Sequence, residues 1–194
     1  MWHKTAVIAM SILILGSVAY AGVLSGFVTA TGKRSNADAV VFIDEIPGEE
    51  FSPPTKHETM DQVRMVFTPH VLPVLVGTTV DFLNSDPAPH NVFTVDDCAD
   101  RFDLGSWTKG ETRSRTFDRP CAAVILCNVH PEMEAYVVAV PTPFFAVTDD
   151  RGEFKINDIP NGTYSVRVWH PTLKELSQKV TIAGETTLEV ALNR

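Results

Sequence analysis

Long apolar runs are nearly absent from this chain. The longest candidate, Ala6 to Leu15, is shorter than the roughly 20 residues that a helix needs to cross a bilayer. With "MWHK" before it and "AYAG" after it, where Ala19 and Ala21 supply small residues for a peptidase, it reads as a cleaved secretory signal over residues 1–21. Basic residues are also in short supply, 16 Lys and Arg against 24 Asp and Glu for a formal charge of −8. Lys4 is the only charge in the signal, so its removal makes the balance −9. That balance excludes nucleic acid and anionic membrane surfaces as partners and favours a basic protein. There is no convincing amphipathic helical period, internal repeat, low-complexity tract or run of like charge. Removing 21 of the 194 residues leaves 173, enough for one large or two small domains.

Cysteine is scarce as well, with three in all, so an exported chain has one disulfide and one thiol left over. Cys121 and Cys127 bracket one predicted strand, and six steps of about 3.3 Å set them about 20 Å apart. A disulfide tolerates about 7 Å between Cα atoms. Cys98 and Cys121 are therefore the expected pair, which leaves Cys127 free.

What the chain does have is many short β-rich runs punctuated by Pro, Gly, Asn and Asp, the pattern of an all-β sandwich. They include "VLSGFVTA", "AVVFIDE", "RMVFT", "VLPVLV", "TTVDFLN", "HNVFTV", "RSRTF", "AAVILCN" and "AYVVAV", then "FFAVT", "EFKI", "TYSVRVWH", "QKVTI" and "TTLEVAL". In "TYSVRVWH", Tyr164, Val166 and Val168 alternate with Ser165 and Arg167, giving one buried and one wet face. Asn161-Gly162 ahead of it is a turn signal, because both residues accept positive φ. Pro-rich joints at 47–59 and 140–145 divide the chain.

The chemistry concentrates in "CNVHPEM", residues 127–133, where a thiol, an imidazole and a thioether lie three residues apart. Two His, one Cys and a weak axial Met make a trigonal blue-copper site. The second imidazole comes from His90 in "SDPAPHNVFT", a loop at the end of a strand that can meet the Cys127 loop.

From about Met65 to Val140 the chain resembles the cupredoxins, with "VGTTVDFLNSDPAPHNV" and "CNVHPEM" matching the amicyanin and plastocyanin branches. The resemblance implies a Greek-key β-sandwich, one copper ion held by His90, Cys127, His130 and Met133, and Asn84 bracing the ligand loop through hydrogen bonds. It also implies that His130 reaches the surface through an apolar patch, here with Pro87, Pro89 and Pro131 around it, where redox partners dock. "FAVTDDRGEFKINDIPNGTYSVRVWHPTL" and "LSGFVTATGKRSNADAVVFIDE" resemble carboxypeptidase regulatory-like and transthyretin-like sandwiches. These pieces flank the cupredoxin segment. The expected organisation is therefore 22–46 and 142–194 as one small sandwich, interrupted by a cupredoxin over 47–141; the alternative gives 22–46 to the cupredoxin itself.

Other residues carry plainer readings. His170 is expected to be packed or capping, His57, Met60, Met65 and His70 too dispersed for a second copper site, Met65 and Phe67 part of an alternating core strand, and Trp107 a loop-packing aromatic. Arg113 and Arg115 are expected to line a solvated face. The chain has no His-x-His pair, the usual mark of a second copper centre in the superfamily's oxidases and nitrite reductases. No hydrolytic Ser, His and acid set is recognisable either. The expected protein is a periplasmic or otherwise exported non-enzymatic electron carrier, without membrane insertion once the signal is removed. Its partners would be redox proteins such as a cytochrome c or a periplasmic dehydrogenase. Copper storage, resistance or delivery, and a binding module with a secondary copper, are the alternatives.

Overall fold

Two strands are apolar on both faces, and they explain how the molecule is layered. In β2 (Val40–Ile43) and in the last four residues of β11 (Glu134–Val140) every side chain is buried, as happens when a sheet is covered on both sides. A computed structural model describes residues 21–194, so the expected signal segment lies outside the described residues, apart from Ala21. Among the described residues no helix is long and apolar enough to cross a membrane.

The described strands form four sheets. The outermost joins β13 (Glu153–Pro160), β1 (Ala21–Ala30) and β16 (Glu185–Leu192), and the next joins β12 (Phe145–Val147), β2, β14 (Gly162–His170) and β15 (Leu173–Ile182). The third runs β5 (Val71–Leu75), β11, β10 (Cys121–Leu126), β7 (His90–Thr94) and β8 (Phe102–Trp107). The fourth runs β4 (Val66–Thr68), β3 (Glu58–Val63), β6 (Thr79–Leu83) and β9 (Thr112–Thr116). The chain thus lays β1 and β2 against strands that come after residue 141, with β3 to β11 built between.

Alternation assigns each strand face to a core. Val41 and Ile43 of β2 join Leu24, Val166 and Leu188 in the core between the first two sheets. Val40 and Phe42, on the opposite face of β2, meet Val71, Val138 and Val140 between the second and third. Ala123, Ile125 and Val137 then face Met60, Val80 and Phe82 between the third and fourth. The seam formed by Val40, Phe42, Val138 and Val140 joins the two sandwiches into a continuous stack.

Several local expectations change on this scaffold. Tyr164, Val166 and Val168 are buried as alternation requires, but the opposite face of β14 is not simply wet. Arg167 lies over the Phe42 ring and Trp169 packs into the seam, because the third sheet covers that face. Pro73 is tolerated inside β5 because that strand pairs on one side only, with β11. The bend at Asn161-Gly162 sits where expected, but it links strands of two different sheets, and the positive φ nearby belongs to Asp158 (59°), inside β13. Gly162 is needed for close approach instead, since a Cβ there would lie 2.5 Å from the Tyr164 hydroxyl.

Candidate metal centre

Four connections meet at one end of the second sandwich: the β3–β4 turn, the β6–β7 loop, the β8–β9 turn and the β10–β11 loop. Backbone bonds link them, Ser85 N–H donating to Gln62 O at 3.1 Å and Gly110 N–H to Asn84 O at 2.9 Å. The β6–β7 loop ends at His90, the first residue of β7, whose ring is fully buried. The β10–β11 loop begins at Cys127, free and buried, and ends at Met133, which lies with Cys127 in the inner core. Met133 N–H closes that loop on His130 O at 2.9 Å.

The structure brings His90, Cys127 and His130 together, with one ligand atom from each within 4.8 Å of the others. Cys127 Sγ lies 4.0 Å from His90 Nδ1, and the two Nδ1 atoms are 2.9 Å apart. A single ion with bonds of about 2.0–2.3 Å spans such separations. The donor set fits copper: one thiol able to ionise, two imidazoles and a buried thioether nearby are the soft and borderline ligands that copper selects. Among the described residues no other group of three His, Cys, Asp or Glu side chains converges in this way.

The electrostatics orient His90. Its Nε2 lies 3.0 Å from Asp86 Oδ2. Burial pushes the Asp86 carboxyl up, but the Met65 and Arg64 amides and the His90 ring outweigh it, and the group ends below the usual carboxylate range. A carboxylate only accepts, so Nε2 is the donor toward Asp86, and Nδ1, the nitrogen that faces Cys127 and His130, keeps its lone pair.

The bracing differs from expectation at Asn84. Its side chain donates to Ala88 O at 3.0 Å and Trp107 O at 2.9 Å and accepts from Asp86 N–H at 2.9 Å. It holds the loop that carries His90, and the residue that ties down the Cys127–Met133 loop is Asn91. Asn91 Oδ1 accepts from Asn128 N–H at 2.6 Å, because the side chain one step past His90 points at the neighbouring loop. Neither Asp86 nor Asn91 was among the expected site residues. The available signals were an acid four residues before the histidine and an amide directly after it.

The remaining candidates fall elsewhere. Met60 and Phe67 are core, but Met65 is 50% exposed because Arg64 and Met65 form a turn with positive φ (55° and 60°) that ends the alternation. Val66 is 53% and Val129 46% exposed, and Pro87, Pro89 and Pro131 are exposed while His130 is half-buried. Trp107 is buried opposite His90 across β7 and β8, not packed in a loop. Arg113 and Arg115 do not simply face solvent, since their guanidinium groups lie 5.6 Å and 5.2 Å from the Trp107 and Phe102 ring centres. His57 and His70 pair with Asp81 and Asp38, and His170 Nδ1 accepts from Thr172 N–H at 3.1 Å. Cys98 and Cys121 form the disulfide.

Residues 55–140 match the family model of copper-binding proteins of the plastocyanin/azurin family. Residues 142–189 match that of polysaccharide lyase family 4, domain II, a different label from the one the motifs of that segment suggest. A reduced mutant of amicyanin is similar at 27% identity over 51% of this chain and 97% of that one, with a TM-score of 0.42. A purple cupredoxin from Nitrosopumilus maritimus is similar at 22% identity over 42% of this chain and 98% of that one (TM-score 0.38). A copper-containing nitrite reductase from Thermus scotoductus SA-01 is 25% identical over 52% of this chain, with a TM-score of 0.43. The alignment spans only 25% of that enzyme's chain. Comparison with curated proteins gave no match.

Proposed function

Residues 55–140 being a cupredoxin domain, we propose that the protein is an exported carrier of single electrons, working through one copper ion held by His90, Cys127, His130 and Met133. The observation that carries this reading is the convergence of a buried free thiol with two imidazole nitrogens within 4.8 Å. Copper bound there supplies one-electron redox chemistry. The protein's part is to keep the donors in place: Asn91 pins one loop, Asn84 the other, and the sheet core fixes Cys127 and Met133. Donors that do not move between oxidation states keep reorganisation small.

Partner approach is supported by the same end of the fold. Of the four exposed large apolar residues among those described, Met65 and Val66 lie at the β3–β4 turn and the start of β4, and Val129 lies in the ligand loop next to the half-buried His130. Such a patch suits transient docking of a redox protein, such as a cytochrome c or a periplasmic dehydrogenase. We read the protein as a carrier and not an enzyme.

The test is direct. Residues 22–194 are produced without metal, loaded with Cu(II), and examined by visible spectroscopy and voltammetry. An intense blue band with reversible one-electron cycling is the expected result. A colourless ion that chelators strip readily overturns it in favour of copper handling.

A further inference from the structure

His90 uses one ring nitrogen toward the other donors, and its second nitrogen is where this chain adds something of its own. The point rests on the reading of His90 as a ligand. Asp86, which faces Nε2 at 3.0 Å, is nearly buried, and neither of its oxygens is free to swing. Oδ1 accepts from Arg64 N–H at 2.6 Å, and Oδ2 accepts from Met65 N–H at 2.8 Å as well as from the His90 ring. The Asp86 amide is itself held by Asn84 Oδ1. A buried carboxylate is costly unless it is fully hydrogen-bonded, and here the β3–β4 turn supplies the two amides that make it tolerable.

We infer that Asp86 is a positioning residue of the metal centre, one that fixes the tautomer and direction of His90 and ties that ligand to the exposed Met65-Val66 tip. A carboxylate behind a ligating imidazole locks the ring orientation and makes the facing nitrogen a stronger donor. Stronger donation favours the more highly charged Cu(II) over Cu(I), so Asp86 holds the reduction potential down. Because Oδ2 is shared between Met65 N–H and the His90 ring, the tip on the apolar docking end is two hydrogen bonds from a ligand.

A merely structural anchor for the β3–β4 turn predicts different results. In the metal-free protein, nitrogen-15 imidazole spectra should show His90 with its proton on Nε2; a proton on Nδ1 overturns the inference without any use of copper. In the copper-loaded protein, Asp86→Asn keeps the side chain's shape but removes its charge. It should weaken the preference for Cu(II) about tenfold, a rise of about 59 mV for a one-electron couple. Asp86→Glu, which keeps the carboxylate, should recover most of that shift. If Asp86→Asn lowers stability but leaves the potential where it was, Asp86 only anchors the turn and the inference is overturned. The two failures are separable: a colourless copper-loaded wild type overturns the carrier reading, whereas the His90 tautomer is decided in the metal-free protein.

Discussion

Asn91 shows how a single side chain carries both stability and function. Its 2.6 Å bond to the Asn128 amide is the side-chain tie between the loop after Cys127 and the strand bearing His90. Asn91→Ala removes that bond, so it should cost about 0.5–1.5 kcal/mol in denaturant melts and speed copper release to a chelator. Met133→Leu exchanges a thioether for a hydrocarbon of similar bulk. It should raise the reduction potential while the blue band persists; loss of all colour would show that Met133 is not a weak axial ligand. His170 carries a pH prediction. Burial, then the charge of Lys33, pushes its imidazole below the usual range, and its Nδ1 accepts a backbone N–H that protonation would remove. A depressed folded value means that the unfolded chain takes up the proton first, so this contribution is present above about pH 6.5 and is lost as pH falls from there through the lower folded value. Melts at pH 7.5 and 5.5 should show a decline that is smaller in His170→Asn. The proposed ligands were legible in the sequence because three of them sit in one seven-residue loop whose spacing the chemistry restricts. Asp86 and Asn91 were not, because what they do depends on which loop lies opposite.

Strand by strand, alternation was readable wherever the inward positions were apolar, as in β6, β10 and β14. It failed for β3, whose inward residues are Met60 and Gln62. A fully buried glutamine hides the period, and its cost is met in part by a 2.8 Å bond from Nε2 to Leu83 O. It failed again for β8, an edge strand with Gly105 at φ 73° and a register shift against β7. In both, tertiary context makes the strand and local composition does not. The disulfide acts on this same scale. Cys98, in the short turn after β7, is joined to Cys121 at the start of β10 across 23 residues. Replacing both by Ala should lower stability by about 2–4 kcal/mol in urea titrations. The blue band should survive, because Cys127 takes no part in the bridge.

On the scale of the whole molecule, the seam between the sandwiches decides how the protein unfolds. Phe42, Val138 and Val140 are buried there with Val40 and Val71, so neither sandwich can open without exposing the other's apolar face. Calorimetry should record a single transition. Phe42→Ala should lower it, with a loss of about 3–5 kcal/mol, whereas two separated transitions in the wild type would show that the seam is weak. The organisation as one sandwich interrupted by another was read from a resemblance between segments that lie far apart in the chain, and β1 and β2 do pair with strands beyond residue 141. That the two sandwiches would stack face to face was not readable, because an apolar strand looks the same whether a second core or a partner protein covers it. The stack has a practical corollary. Ala21 begins and Leu192 ends strands of the outermost sheet, separated by an entire sheet from the sandwich that bears His90 and Cys127. A peptide linker grafted at either extremity for attachment to an electrode would therefore grip the molecule by its most remote slab.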